Sequence, residues 1–204
     1  MKKLLLLSAI ALFATAANAT DIKPYIEGRI SENFMKNELK ADCTKVTYHD
    51  HLFQGGSSEV GAKLDQVRVG LEGYYNDKAE DEAVVNYGFT IPGEFKSKGA
   101  FLNAYWDIPL CEKLKKFKPY IGAGIGYSWL SVTQQTTLFL TSMKKTTKDK
   151  DWGWNAGLGV AYELNDNLDL TLGYRYEDLG KIKKDEGKIG FTNHKVSLGL
   201  RYTF

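Results

Sequence analysis

The chain has 204 residues, with 27 Lys and Arg against 25 Asp and Glu. Lys2 and Lys3 precede the main body of the chain, so that body is neutral and offers no global field for a nucleic acid or another polyanion. Its length suits one domain, and two cysteines, Cys43 and Cys111, are too few for a disulfide framework.

The N-terminus places Lys2 and Lys3 before an apolar run from Leu4 to Ala16 and then Ala17-Asn18-Ala19. That pattern predicts a cleaved secretory signal over 1–19 and a single barrel domain over 20–204. The apolar run is shorter than the roughly 20 residues a spanning helix needs. No later segment approaches that pattern, so a membrane protein of this sequence has to be a closed barrel, whose backbone is fully paired.

Alternation with period two marks eight segments in chain order. The first, 23–31, sets Pro24, Ile26, Gly28 and Ile30 against Lys23, Tyr25, Glu27, Arg29 and Ser31. A polar stretch over 32–63 then reads as a long loop. The second strand opposes Val67, Val69, Leu71, Gly73 and Tyr75 to Arg68, Gly70, Glu72 and Tyr74. A short acidic connection leads to a third over 85–91, ended by Pro92-Gly93. The fourth places Leu102, Ala104 and Trp106 opposite Phe101, Asn103, Tyr105 and Asp107.

The fifth, 118–130, sets Ile121, Ala123, Ile125, Tyr127 and Trp129 against Tyr120, Gly122, Gly124, Gly126 and Ser128. A Thr- and Lys-rich stretch over 131–151 reads as a second long loop. The sixth and seventh, 154–164 and 168–177, flank the turn residues Asn165-Asp166-Asn167. A Lys-rich loop over 178–191 returns to the last strand, which sets Val196, Leu198, Leu200, Tyr202 and Phe204 against Lys195, Ser197, Gly199, Arg201 and Thr203. The fold class is all-β: an eight-stranded antiparallel up-and-down transmembrane barrel, with short turns and both chain ends on one side and longer loops on the other.

The apolar set contains no charged residue and gathers aromatics at the strand ends, as two interfacial girdles require. A lipocalin-like barrel would place that set inward instead. The opposite set mixes glycines with balanced charges, which suits a narrow interior closed by ion pairs. Glu27, Arg29, Arg68, Glu72, Glu163, Asp169, Arg175, Glu177, Lys195 and Arg201 are the expected members of that network.

The runs Lys118-Pro-Tyr-Ile-Gly-Ala-Gly-Ile-Gly-Tyr127, Trp154-Asn-Ala-Gly-Leu-Gly-Val-Ala-Tyr162 and Leu170-Thr-Leu-Gly-Tyr-Arg-Tyr176 resemble the small opacity-protein and surface-antigen family of outer-membrane barrels, kin to OmpA- and OmpX-type proteins. The resemblance implies a bacterial outer-membrane location and a terminal assembly signal carried by Tyr202 and Phe204. It further implies contact with outer-membrane lipid, lipopolysaccharide and the assembly machinery, as a monomer. It specifies architecture well and activity poorly: relatives act as adhesins, as structural surface proteins, or are labelled porins.

Three functions follow for comparison. An adhesin would meet lipopolysaccharide phosphates, a host-surface glycan or a receptor through Lys144, Lys145, Lys148, Lys150, Lys181, Lys183, Lys184 and Lys188, although lysine runs are also the ordinary content of solvated loops. A narrow porin-like channel is the alternative, opposed by the small lumen of eight strands. A lipid-modifying enzyme ranks last. His194 and Ser197 fall on opposite faces, and His49-Asp50-His51 has no evident third ligand, so no catalytic, cofactor or metal residue is assigned. Cys43 and Cys111 are expected on opposite sides of the bilayer, too far apart to bond to each other.

Overall fold

The computed structural model describes the backbone of residues 22–41, 44–85, 89–111, 114–138, 141–184 and 187–204. Side chains are described throughout these except at 35–53, 77–95, 132, 134–145 and 181–191. The strands are β1 (Ile22–Ala41), β2 (Thr44–Leu64), β3 (Val67–Val85), β4 (Phe89–Asp107), β5 (Phe117–Leu138), β6 (Thr141–Asn165), β7 (Leu168–Lys184) and β8 (Gly187–Thr203). Each pairs antiparallel with its neighbours in sequence, and β8 pairs with β1 to close the barrel. Closure leaves no strand edge, the condition for crossing lipid with β-structure.

Eight antiparallel strands in a closed barrel agree with the sequence, but the allotment differs in two places that offset each other in the count. The stretch 32–63, expected as a loop, holds the outer half of β1 and nearly all of β2, which pairs with β1 from Ile22↔Leu64 to Ala41↔Thr44. The segment 85–91, expected as a separate strand, spans the end of β3, its connection and the start of β4; those two strands pair directly as far as Val85↔Phe89. Within the expected long loops over 131–151 and 178–191 the described residues are likewise strand: β5 and β6 pair out to Leu138↔Thr141, and β7 and β8 out to Lys184↔Gly187. Several strands are therefore about twice the 9–11 residues that a tilted strand needs to cross the bilayer core.

The end with both termini has compact connections. At β2–β3, Asp65 takes a left-handed φ of 52°, which a short aspartate side chain tolerates in a two-residue turn. At β6–β7, Asn165 Oδ1 accepts the backbone N–H of Asn167 (3.1 Å) and Leu168 (2.9 Å), and Asn167 Nδ2 donates to Thr203 O (2.7 Å), tying the turn to the last strand. Cys111, in the longer β4–β5 connection at this end, is exposed and free. Cys43 lies outside the described residues.

Parity along the strands separates two environments. Ile30, Leu71, Leu102, Ile125, Leu158 and Leu198 face outward in an apolar band, interrupted on β2 by Gly56 and Ser58. Aromatics border it at both levels: Trp154 lies 5.5 Å from Tyr176 and Tyr127 5.7 Å from Trp152 toward the far end, while Phe117 and Tyr162 (5.0 Å) and Tyr202 and Phe204 (5.0 Å) cluster near the termini. The inward positions are charged, hydroxylic, aromatic or glycine. Among them Glu59, Glu72, Arg68, Arg201, Glu177, Asn103 and Phe101 are almost wholly buried.

Candidate functional site

A barrel of this width has room inside only for its own side chains, so inward charges must find partners there or pay for burial. Arg29 on β1 is the hub. Its Nε and Nη2 donate to the two oxygens of Glu27, each at 2.8 Å, and its Nη1 lies 3.3 Å from Glu59 and 3.4 Å from Glu72. Such forked guanidinium–carboxylate pairs fix geometry as well as charge. Glu59 also accepts from Tyr25 Oη (2.6 Å), Tyr105 Oη (2.6 Å) and Asn103 Nδ2 (3.1 Å), so neutral donors fill the rest of its acceptor capacity. Glu72 accepts from Arg175 Nη1 (2.6 Å) and Asn103 (2.8 Å). Arg175 reaches on toward Glu177 (3.7 Å), and Glu177 holds Lys195 at 2.8 Å.

Two smaller groups occupy the end near the termini. Arg68 Nε donates to Asp107 (2.9 Å), which also receives Lys63 (2.7 Å). The Arg68 guanidinium lies over the Tyr105 and Tyr120 rings at 4.6 and 5.0 Å, contacts that replace part of its lost hydration. Arg201 Nη2 donates to Asp169 (2.7 Å), and Lys118 bridges Asp169 (3.2 Å) and the half-exposed Glu163 (2.6 Å). Among the described residues the interior cations Arg29, Lys63, Arg68, Lys118, Arg175, Lys195 and Arg201 match the carboxylates Glu27, Glu59, Glu72, Asp107, Glu163, Asp169 and Glu177 one for one.

The structure thus joins Glu27, Arg29, Glu72, Arg175, Glu177 and Lys195 into one chain and places Arg68, Glu163, Asp169 and Arg201 in the two end groups. Glu59 and Lys63 were missed by sequence reasoning because they sit in β2, read as loop; the alternation of Val60, Ala62 and Leu64 against Glu59, Gly61 and Lys63 was their signal. Above the charged layers, Asn193 donates to Asn33 (2.9 Å) and Glu177 (2.9 Å), Asn76 to Ser97 (3.0 Å) and Tyr74 to Ser128 (2.8 Å). Leu130 and Leu179 are fully buried there.

The lysines expected in loops stand on strands instead. Lys144, Lys145, Lys148 and Lys150 belong to β6, Lys181, Lys183 and Lys184 to β7, and Lys188 to β8. Of these only Lys148 and Lys150 have described side chains, and both are exposed. His194, on the outer wall, shares a hydrogen bond between its Nδ1 and Tyr174 Oη (2.7 Å). The side chains of His49, Asp50 and His51 lie outside those described.

A closed eight-stranded barrel with a polar, filled lumen and an apolar, aromatic-bordered exterior is an outer-membrane β-barrel. The family model for the outer membrane protein beta-barrel domain matches residues 4–204, and the chain belongs to that family. Opacity protein opA67 of Neisseria gonorrhoeae is 32% identical over 159 residues, 66% of this chain and 62% of that protein. Opacity protein opA66 of the same organism is 35% identical over 127 residues, half of each chain. The chain thus spans between half and about three-fifths of the length of these relatives.

Among solved structures, Neisserial surface protein A superposes with a TM-score of 0.59 at 18% identity, over 89% of this chain and 97% of its own. A major outer membrane protein from Thermus thermophilus gives 0.54 at 17% identity, over 87% and 99%. At these identities the likeness is one of fold. The protein resides in the bacterial outer membrane; barrels of this class turn their short connections toward the periplasm and their longer hairpins outward.

Proposed function

We propose that the barrel is a monomeric surface scaffold whose outer hairpins contact a host or environmental surface. The observation that carries this reading is the filled lumen: ion pairs and hydrogen bonds link inward side chains from the Arg68–Asp107 pair up to the Asn33–Asn193 pair, which disfavours solute passage and leaves the external hairpins as the part free to make contacts. The opacity-protein relatives support the same reading. Lys144, Lys145, Lys181, Lys183, Lys184 and Lys188, on the strand extensions, would supply positive charge to a sulfated or phosphorylated glycan.

The test is attachment to host-cell monolayers by a non-adherent bacterium expressing the protein, with each hairpin shortened in turn. At least one shortened form is expected to lose adhesion while retaining surface levels. In planar bilayers the purified protein should show no stable conductance step above the lipid baseline. A reproducible step would replace this reading with the narrow channel.

Delivery to the membrane is proposed to depend on Tyr202 and Phe204. Phe204 is 64% exposed and adds one strand hydrogen bond, to Pro24 O at 2.9 Å, so it contributes little to the finished barrel. Deleting Phe204 is expected to leave barrel refolded in detergent with near-normal stability but to lower outer-membrane levels severalfold, as fractionation and immunoblotting would read. Equal levels would show that the signal lies elsewhere.

A further inference from the structure

On the inner wall of β5 to β8 the register sets two adjacent rungs with glycine at their centres. One runs through Gly122, Gly157 and Arg175, the next through Tyr120, Gly159, Gly173 and Ser197. The Tyr105 ring lies over Gly122, and Tyr120 folds over Gly159. At Gly157 the atoms nearest an added Cβ belong instead to Tyr174 and Arg175 of the same wall. The two rings thus leave a gap inside the lumen, a cavity bounded by Arg29, Tyr105, Tyr120, Asn155, Arg175 and Ser197. It offers about 20 Å³ to the centre of a water-sized sphere, enough for one water or one monatomic ion. Phosphate and sulfate are too large for it.

The lining decides between those occupants. Its two charged groups are both guanidiniums, and it includes no carboxylate. Glu27, Glu59 and Glu72, which pair with Arg29 and Arg175, lie outside it. Arg175 spends Nη1 on Glu72 and Nη2 on Tyr105, which leaves its Nε–H to donate. Tyr120 is 8% exposed, yet its hydroxyl has no hydrogen bond among the described residues, and neither has that of Ser197. A Cβ added at Gly173 would stand 3.0 Å from Tyr120 Oη and 3.3 Å from Ser197 Oγ, so both hydroxyls meet over one spot. Buried polar groups without a protein partner ordinarily hold a water or an ion. Between two guanidiniums, with no acid on the lining, negative charge is favoured, and the low dielectric of the interior strengthens the attraction.

We propose that this cavity binds one halide ion, with chloride as the ordinary occupant, held by the Tyr120 and Ser197 hydroxyls between Arg29 and Arg175. The interior charges already balance one for one, so the ion adds a charge to the lumen. Its affinity therefore rests on these direct donors and falls in the millimolar range. A single enclosed ion makes no path through the barrel, so the site stands apart from the scaffold reading.

The experiment uses the full barrel folded in lipid vesicles, with chloride as the probe. Gluconate, too large for the cavity, keeps the ionic strength constant. Urea unfolding is followed by tryptophan fluorescence over a chloride series. A ligand that binds only the folded state multiplies the folding equilibrium constant by one plus the ratio of its concentration to its dissociation constant. Above half-saturation, each tenfold rise in chloride should raise that constant about tenfold in wild type. Tyr120→Phe combined with Ser197→Ala removes both hydroxyls and should abolish the response. Because neither hydroxyl has a protein partner, that variant should keep wild-type stability in gluconate alone. Gly173→Ala, whose methyl enters the cavity beside both hydroxyls, should lose the response too. If the double variant fails to fold, Ser197→Ala is read in the same way. The ion's place is read from crystals soaked in bromide, where an anomalous peak is expected between Arg29 and Arg175. No chloride response in wild type, or the same response in wild type and variants, would overturn the site. A bromide peak confined to exposed lysines, with only a water in the cavity, would overturn it as well.

Discussion

Replacing Arg29 with Ala should lower the stability of the barrel by about 3–5 kcal/mol, the usual cost of removing one member of a buried ion pair. The guanidinium has 6% of its surface exposed and touches Glu27, Glu59 and Glu72, whose side chains are at most 1% exposed. Its removal leaves Glu27 with Thr171 Oγ1 as its remaining described hydrogen-bond donor (2.7 Å), and Glu72 with Arg175 and Asn103. The measurement is the urea midpoint of the barrel in lipid vesicles, followed by tryptophan fluorescence. Lys118→Ala is the contrast. Its side chain and that of Glu163 are 29% and 33% exposed, so water screens that pair, and the buried Asp169 keeps Arg201, so the loss should be about 0–1 kcal/mol. Equal midpoints for the two variants would show that water reaches Arg29 as freely as it reaches the rim.

The parts of the fold that were legible in the sequence are those where lipid presses on one face. Between Ile121 and Trp129, or Leu168 and Tyr176, every second residue must be apolar, and the alternation is unbroken. Where the strands rise beyond the bilayer that pressure ends. Glu32 to Ala41, Thr44 to Ser57, Thr133 to Leu138 and Thr141 to Lys150 carry polar residues on both faces, yet their backbones stay paired because the hairpin register continues upward from the membrane. Ladder hydrogen bonds hold those segments, and ladder hydrogen bonds leave no hydropathy signature. The count of eight that alternation yields therefore omits β2 and places a separate strand at 85–91.

The interior charges were legible as a set because alternation assigns a face, but not as pairs. Pairing depends on barrel stagger, which sets which inward residues share a level across the lumen. Arg68 could be expected to meet Glu72, four residues along its own strand; it meets Asp107 on β4 instead, since Arg68 and Tyr105 are register partners and Asp107 lies one inward step below Tyr105. Glu59, which collects Tyr25, Tyr105, Asn103 and Arg29, was invisible for a simpler reason: Gly55-Gly56-Ser57-Ser58 beside it breaks the apolar alternation of β2. Those small residues face either the crowded lumen or the lipid, so the feature that hid the strand has a packing role.

Gly122→Val should be a strongly damaging change on β5. Gly122 is the register partner of Tyr105 and faces the lumen, where an added Cβ would collide with the Tyr105 ring and lie 3.0 Å from Ala104 O. The ring has nowhere to go. Its hydroxyl donates to Glu59 (2.6 Å) and accepts from Arg175 (3.1 Å), its face carries Arg68 at 4.6 Å, and Tyr120 packs edge-on at 5.9 Å. Overpacking ordinarily costs about 1–3 kcal/mol. Displacing Tyr105 also breaks its hydrogen bond to a charged group, worth about 1.5–3 kcal/mol, so Gly122→Val is expected at or beyond the loss from Arg29→Ala. Gly28→Val is the control. Gly28 faces lipid with open space where its Cβ would stand, and replacing a strand glycine there should be neutral or stabilise by about 0.5–1 kcal/mol. Urea midpoints of the two variants in the same vesicles decide the matter: a marked loss for Gly122→Val with none for Gly28→Val is the expected pattern. Equal midpoints would mean that Tyr105 is free to swing away and that the lumen is not packed around it.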